Sequence, residues 1–484
     1  MSKKTIKQQT ISGMLWSSIQ RFGSMGISFI ANLILARILS PEDFGCIGIL
    51  TVFIAIAGIF VDSGFGAALI QKKNPSQEDY STIFYLNLTI SVILYLILFY
   101  CAPAIARFYE IPSLSNLLKV LSIILFLNSF SIIQDNQLRK QLNFRLLSIV
   151  YLVSAIIGAV CGIASAYLGY GVWSLVINGL VNAFFRSVLL WGFSKWYPLF
   201  VFSKQSMKEL FAFGGFIFAN SLVYTLRNNI QALIIGKLFL SRDLGFYVQA
   251  RKLEEIPTNS ISGIIQQVTF PVYSKIQDDK EKLKFAQQKS VKSLAYICFP
   301  IYVLLIVIAN SLFELLFTTK WLESVPYFQI LCIGAFAYSL LNVNASIVTA
   351  SGKSALFFKW NLITSILIFI LIGIGSFFGI KGLLYATVLG AWFLYYINVW
   401  LASMYTKYTF LEQLKDLFPM LALSIIIGVA TWFLGKYLSI NYIIVLFIQI
   451  IIFVTSYLGL SYFLKIEAFF SFLSIIKDFI KQSK

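Results

Sequence analysis

Apolar runs of roughly twenty residues or more, cut by short polar punctuation, recur from one end of the chain to the other, and that pattern predicts membrane-crossing helices. Taking each run between its flanking charges or turn residues gives about fourteen spans. They fall near residues 13–37, 44–70, 80–104, 114–136, 146–168, 171–195, 210–237, 244–272, 293–317, 325–350, 355–378, 381–405, 417–435 and 440–464. Alternation with a period of two, the mark of an outer-membrane barrel strand, is not what separates the runs.

One stretch of the pattern is used twice. Leu33-Ile-Leu-Ala-Arg-Ile-Leu-Ser-Pro-Glu-Asp-Phe-Gly45 returns two hundred positions later as Leu233-Ile-Ile-Gly-Lys-Leu-Phe-Leu-Ser-Arg-Asp-Leu-Gly245, with Leu33/Leu233, Ile34/Ile234, Asp43/Asp243 and Gly45/Gly245 identical. Arg37 and Lys237 both place a cation where the apolar helix ends. A hairpin repeated at that interval predicts two related helical lobes with substrate at the repeat interface. The expected organisation is an N-lobe of six spans over 1–195, a cytoplasmic linker over 196–209, a C-lobe of six spans over 210–405, and two further spans with an amphipathic tail over 406–484. Six is even, so the lobes share one orientation and relate by an axis along the membrane normal. Spans thirteen and fourteen read as an appendage. In the tail, Ile466, Phe469, Leu473, Ile476 and Ile480 recur at helical spacing opposite Lys477, Asp478 and Lys481, as in a helix lying at the membrane surface or packed on the bundle.

Composition agrees with the pattern: 59% of residues are hydrophobic and 12% charged, with a mean hydropathy of +0.83, which excludes an ordinary soluble protein. The net charge of +18 does not point to nucleic acid. Most of the 38 Lys and Arg lie in alternate short connections, an asymmetry that predicts both termini on the cytoplasmic side. The lysines at 280, 282, 284, 289 and 292 belong to this inner set and are expected on the inner leaflet. With no histidine, a His-ligated metal and a His proton relay are excluded. The five cysteines lie in or beside apolar runs without paired spacing and read as small core residues. Gly352-Lys353-Ser354 lacks the upstream glycine of a nucleotide loop and reads as a turn. No catalytic constellation emerges, the outer connections are short, and the chain is read as a non-enzyme without a cofactor.

Ionisable groups within spans are costly and mark function or pairing. Arg21 in span one and Asp62 in span two sit at a matched depth of roughly 12 Å from the inner side. Arg227 in span seven and Glu254 in span eight match at roughly 15 Å from the outer side. Arg251, Lys252 and Glu255 join them just before Pro257, which is expected to kink or interrupt its helix. Two readings fit. Arg21 with Asp62, and Arg227 or Arg251 with Glu254 or Glu255, form salt bridges that hold the bundle, Arg251 and Glu255 being spaced i, i+4. Alternatively Arg21, Arg227, Arg251 and Lys252 line a wet cavity and take an anionic headgroup, while Asp62, Glu254 and Glu255 couple to a proton or sodium ion. Asn228, Asn229, Asn259 and Gln266 offer amides to sugar hydroxyls or to neighbouring helices. Arg186, near the inner end of span six, reads as a snorkelling side chain.

Gly13-Met-Leu-Trp16, Leu35-Ala-Arg-Ile-Leu-Ser-Pro-Glu-Asp-Phe-Gly45 and Val61-Asp-Ser-Gly-Phe-Gly-Ala-Ala-Leu-Ile-Gln-Lys-Lys73 together resemble the opening of bacterial Wzx-type polysaccharide flippases, in particular the WzxC-like lipopolysaccharide and colanic-acid exporters. Asp243-Leu-Gly245, Phe270-Pro-Val-Tyr-Ser274, Gln277-Asp-Asp279 and Ala350-Ser-Gly-Lys353 extend the likeness along the chain. The resemblance implies membership of the MOP superfamily, which includes the MATE exporters. It implies an all-α integral membrane protein with two six-helix lobes in a V plus two C-terminal helices, working by alternating access in the bacterial cytoplasmic membrane. The implied substrate is an undecaprenyl-pyrophosphate-linked oligosaccharide moved from the inner to the outer leaflet, with membrane lipids and, transiently, polysaccharide assembly proteins as partners. Cavity arginines on the first and seventh helices of related precursor flippases correspond by helix and depth to Arg21 and Arg227. An ion-coupled small-molecule exporter and a membrane glycan polymerase or ligase stand as alternatives. Intramembrane arginines argue against the cation exporter, and the short outer loops against the polymerase.

Overall fold

The computed structural model describes residues 6–194, 196–438 and 440–470, and their side chains except those of 6–11, 212, 213, 216, 262–268, 354 and 355. In chain order the helices are α1 (Ile6–Ile38), α2 (Pro41–Asp62), α3 (Phe65–Gln71), α4 (Gln77–Tyr109), α5 (Ser113–Leu121), α6 (Ile123–Lys140), α7 (Phe144–Tyr167), α8 (Trp173–Phe193) and α9 (Lys204–Leu238). They continue as α10 (Ser241–Lys275), α11 (Lys280–Phe317), α12 (Val325–Ala350) after a 3₁₀ turn at Thr319–Ser324, α13 (Ser354–Ser376), α14 (Gly379–Thr406), α15 (Phe410–Tyr437) and α16 (Tyr442–Phe463). No strand occurs among the described residues. The all-α membrane fold expected from the hydropathy pattern is the fold observed.

Among the described residues twelve segments are long and apolar enough to cross a membrane. α9 and α10, at 35 residues each, are too polar over their described residues to join them. Their polarity comes from Arg227, Asn228, Asn229 and Gln231 in one and Arg251, Lys252, Glu254 and Glu255 in the other. These two helices carry most of the candidate chemistry. Pro257 does not interrupt α10, which runs helical through both Pro257 and Pro271.

The chain forms two compact units, Met1–Gly245 and Phe246–Lys484. In the first, Ser40 starts α2 with a capping box: its hydroxyl accepts the Asp43 backbone N–H at 3.3 Å, and the Asp43 carboxylate accepts the Ser40 N–H at 3.0 Å. Pro41 fills the first helical position, where a missing N–H costs nothing. The repeated hairpins meet backbone to backbone. A Cβ on Gly45 would stand 1.8 Å from the Ser241 carbonyl oxygen, and one on Gly245 would stand 1.8 Å from that of Pro41. Since Pro41 and Ser241 are themselves two hundred positions apart, each copy offers the other the same glycine and the same carbonyl. Glycine is needed at both places because no side chain fits.

The Val61–Gly66 stretch divides α2 from α3. Ser63 and Gly64 are both left-handed, with φ of 46° and 72°, and Gly64 lies so close to Gly214 of α9 that its Cβ would be 2.3 Å from the Gly214 oxygen. Lys140, at the end of α6, donates from Nζ to the carbonyls of Leu69 at 3.0 Å and Lys72, satisfying the C-terminal turn of α3. The segment between α8 and α9 is stitched to the start of α4. The Trp196 indole donates to Gln77 Oε1 at 2.6 Å, the Gln77 amide to the Tyr197 carbonyl at 2.6 Å, and the Leu199 N–H to Ser81 Oγ at 3.0 Å.

The second unit is built around α11, α12, α14 and α15, whose inward faces supply Phe299, Tyr302, Phe336, Leu340, Tyr395, Met420 and Leu423 to one core. α15 and α16 are part of that core rather than an appendage. Gln413 of α15 donates to Asn344 Oδ1 at 3.0 Å, and Gln287 of α11 donates to the same oxygen at 2.7 Å. The lysines expected on the inner leaflet open α11, and two of them hold the C-terminal helices in place. Lys284 pairs with Glu412 at 3.0 Å, and Lys292 with Asp416 at 3.4 Å and Glu467 at 3.2 Å. Of the tail, Ile466 and Phe469 pack on the core; Leu473, Ile476, Lys477, Asp478, Ile480 and Lys481 lie outside the described residues.

Candidate functional site

In the first unit, intramembrane polar groups gather where α6, α7 and α8 pack. Arg139 closes back one turn on Asp135, Nε to Oδ2 at 2.5 Å, and the Tyr151 hydroxyl donates to Asp135 Oδ1 at 3.0 Å. Arg186 is not a snorkelling side chain. Its Nη2 donates to Asn128 Oδ1 at 2.5 Å, and its guanidinium lies 5.4 Å from the Tyr151 ring centre. Tyr151 thus bridges two arginines, one through its hydroxyl's carboxylate partner and one through its π-face. The Asp135 carboxylate has a cation and a hydroxyl, the arrangement that makes a charge tolerable away from water.

Asp62, at the end of α2, takes a backbone N–H from Gly66 and feels the Asp135 charge. Among the described residues it forms no ion pair, so the salt bridge drawn from matched depth with Arg21 is not what holds it. Arg21 is exposed on α1. That helix lies on α7 through the Ser148 hydroxyl, which donates to the Trp16 carbonyl at 2.7 Å.

Arg227 on α9 is half-buried, and its Nε is enclosed without a hydrogen-bond partner among the described residues. Its guanidinium lies 5.7 Å from the Tyr224 ring centre one turn earlier. Asn228 is half-buried beside it, while the Asn229 amide is turned to its own helix, donating to the Thr225 carbonyl at 2.8 Å. Protein interiors rarely leave a buried donor unused. A guanidinium N–H held that way can donate to an acceptor from elsewhere.

In the second unit, Arg251 is committed. Its Nε meets Glu255 Oε1 at 2.8 Å and its Nη1 donates to the Tyr247 hydroxyl at 2.7 Å. Lys252 and Asn259 are exposed on the same helix, and the Gln266 side chain lies outside the described residues. Glu254, only 7% exposed, is held differently from every other carboxylate described here. The Thr258 hydroxyl donates to its Oε1 at 2.6 Å, the Tyr302 hydroxyl of α11 lies 2.8 Å from that of Thr258, and the Ser339 hydroxyl of α12 lies 2.7 Å from that of Tyr302. Among the described residues Glu254 is in no ion pair.

Asp135, Arg139, Tyr151, Thr258, Tyr302 and Ser339 are absent from the sequence-derived candidates. The i, i+4 spacing of Asp135 with Arg139, and of Glu254 with Thr258, was a readable signal. Tyr302 and Ser339 carry none, because they reach Glu254 only through the packing of three helices. Among the described residues no three His, Cys, Asp or Glu side chains gather as metal ligands.

Comparison with known proteins places this geometry. The chain is 28% identical over 359 residues to the teichuronic acid biosynthesis protein TuaB of Bacillus subtilis, covering 74% of each chain. It is 28% identical over 379 residues to the lipopolysaccharide biosynthesis protein WzxC of Escherichia coli, covering 77% of this chain and 76% of that one. Among solved structures, the lipid II flippase MurJ in an inward closed conformation superposes with a TM-score of 0.77 at 18% identity, over 93% of this chain and 99% of the other. An inward-facing MATE multidrug resistance transporter of the MOP superfamily superposes at 0.62 and 15% identity, over 82% and 98%. These structural likenesses establish the MOP-type fold. The model of a family described as polysaccharide biosynthesis protein matches residues 34–326, and the chain belongs to that family.

Proposed function

We propose that the protein is a flippase that carries an undecaprenyl-pyrophosphate-linked oligosaccharide from the inner to the outer leaflet of the bacterial cytoplasmic membrane, by alternating access, for surface polysaccharide assembly. The family and the named roles of TuaB, WzxC and MurJ support the substrate class. The observation that carries the chemistry is Arg227. A pyrophosphate offers adjacent anionic oxygens that a planar guanidinium binds through paired N–H donors, and Arg227 has an enclosed donor with no claimant among the described residues. Arg21 in the first unit and Lys252 in the second are assigned the same chemistry, each within its own unit, and Arg251 joins them only by giving up its bonds to Glu255 and Tyr247. Amides such as Asn228 and Asn259 suit sugar hydroxyls. Asp62 and Glu255 remain coupling or pairing groups.

The reciprocal hairpin contact supports a two-lobe organisation, with lobes at 1–195 and 210–405 related by the repeat. The clustering of Lys and Arg in alternate connections supports cytoplasmic termini. The test is export in cells that depend on this protein for a surface glycan. Arg227→Ala should abolish the glycan while the protein stays in the membrane at normal level, and Arg227→Lys should restore only part of it, a point charge replacing a fork. Normal glycan with Arg227→Ala would refute the assignment.

A further inference from the structure

The Glu254 carboxylate sits at one end of a line of hydroxyls that crosses three helices: Thr258 on α10, Tyr302 on α11 and Ser339 on α12, at successive separations of 2.6, 2.8 and 2.7 Å. The far end of the line is dry. Tyr302 and Ser339 are both 0% exposed, the Phe336 ring lies 5.4 Å from that of Tyr302, and Phe299, Ala335 and Leu340 complete the wall. An ionised carboxylate here has one hydroxyl donor and no paired cation, far less than its charge needs away from water. The charged and titratable groups nearby do not remedy this. Arg251 is bound to Glu255 and Tyr247, Lys252 is exposed on α10, and among the described residues α11 and α12 bring Tyr302, Cys298 and Cys332 to it.

We propose that Glu254, Thr258, Tyr302 and Ser339 form a proton-binding site, in which one proton is taken up and released at the Glu254 carboxylate and the three hydroxyls reverse direction together. In the ionised state Ser339 donates to Tyr302, Tyr302 to Thr258 and Thr258 to Glu254, so every hydroxyl points toward the charge. When a proton binds, the Glu254 O–H donates to Thr258, Thr258 to Tyr302 and Tyr302 to Ser339, whose own hydrogen turns to a carbonyl of its helix, as helical serines commonly do. No heavy atom needs to move, and no bond other than O–H is made or broken. For both hydroxyl–hydroxyl links in the line, geometry permits either partner to be the donor.

A metal cation fits less well. Oxygens that ligate a hard cation stand about 2.3–2.6 Å from the ion and so are spread around it, whereas these oxygens are at hydrogen-bond distance from one another. Because the line ties α10 to α11 and α12, the protonation state of Glu254 is read by three helices at once. Its use in coupling rests on the flippase reading; the binding of the proton does not.

The test has two arms on the full-length protein in lipid vesicles. Infrared difference spectra recorded as pH is lowered should show a carboxylic-acid carbonyl band that is missing in Glu254→Gln, retained in Glu255→Gln, and shifted in frequency in Tyr302→Phe, which cuts the line but leaves the acid. A titrating band that persists in Glu254→Gln, or one indifferent to Tyr302→Phe, overturns the site. In the second arm, translocation of an undecaprenyl-pyrophosphate oligosaccharide should respond to an imposed pH gradient in the intact protein and lose that response in Glu254→Gln. The expected band without any translocation would leave the site standing and remove the flippase reading. Gradient-driven translocation without the band would do the reverse. Should Glu254→Gln fail to fold, Glu254→Asp gives the same reading through a displaced band, and an undisplaced band would overturn the site.

Discussion

Asp135 on α6 in the first unit and Glu254 on α10 in the second are both carboxylates on long helices, and the protein treats them in opposite ways. Asp135 is neutralised in place by Arg139 at 2.5 Å, with the Tyr151 hydroxyl on its other oxygen. Among the described residues Glu254 meets the Thr258 hydroxyl and, through it, those of Tyr302 and Ser339. A guanidinium fixes its partner's charge, since it stays protonated at any accessible pH. Hydroxyls accept either protonation state, because each can donate or accept. The first arrangement suits a permanent structural charge and the second a charge that comes and goes. The same contrast separates the arginines: Arg139, Arg186 and Arg251 are spoken for, whereas Arg227 keeps an enclosed donor in reserve.

The contrast breaks first at Asp135. Replacing it by Asn removes the charge that Arg139 needs and should cost on the order of 2 kcal/mol in thermal or denaturant unfolding, below the 3–5 kcal/mol of a fully buried pair because Arg139 is partly exposed. Adding Arg139→Gln should recover most of that loss; no recovery would mean that Asp135 acts through something other than the pair. Next comes Tyr302→Phe, which leaves Thr258 and Ser339 each short of a partner and should cost about 1–1.5 kcal/mol, whereas a free-standing tyrosine would show nothing. Glu254→Gln should change stability by less than about 0.5 kcal/mol, since a neutral amide resembles the protonated acid. A loss as large as that of Asp135→Asn would show instead that Glu254 is folded as a paired anion. The smallest effect belongs to Glu209, exposed at 3.4 Å from Lys72, which also meets the buried Asp79 at 2.9 Å. Asp79 holds the Lys72 ammonium above its usual range, so its contribution is present at neutral pH and is lost as pH rises through that raised value. Glu209→Gln should cost no more than about 0.5 kcal/mol at low salt and nothing measurable at high salt.

Much of this was legible in the sequence, and the reasons are specific. Spans are set by the length of apolar runs, so the helices follow from hydropathy, α9 and α10 included at 210–237 and 244–272, and the repeated hairpin marks the α1–α2 and α9–α10 pairs as equivalents. The hairpin glycines were visible as identities, and the structure supplies the reason for them: the other copy's carbonyl occupies the place of a side chain. Arg251 with Glu255 was readable because a helix brings i and i+4 together. Depth alone could not decide Arg21 and Asp62, since two groups at one level of the bilayer can face different ways. The status of α15 and α16 was equally hidden, because lipid tails and protein cores are both apolar and hydropathy cannot tell which of them a helix faces. Tyr302 and Ser339 belong to separate helices and become partners of Glu254 only when α10, α11 and α12 pack.

The most direct test of the central claim is translocation by the purified protein in sealed vesicles. A defined undecaprenyl-pyrophosphate oligosaccharide is placed in one leaflet, and its accessibility from the other side is followed, with intact protein and with Arg227→Ala. The account predicts protein-dependent movement that is lost in the variant while the fold is retained. Equal movement in both would contradict the role of Arg227, and no movement by folded protein under any imposed ion gradient would contradict the flippase itself.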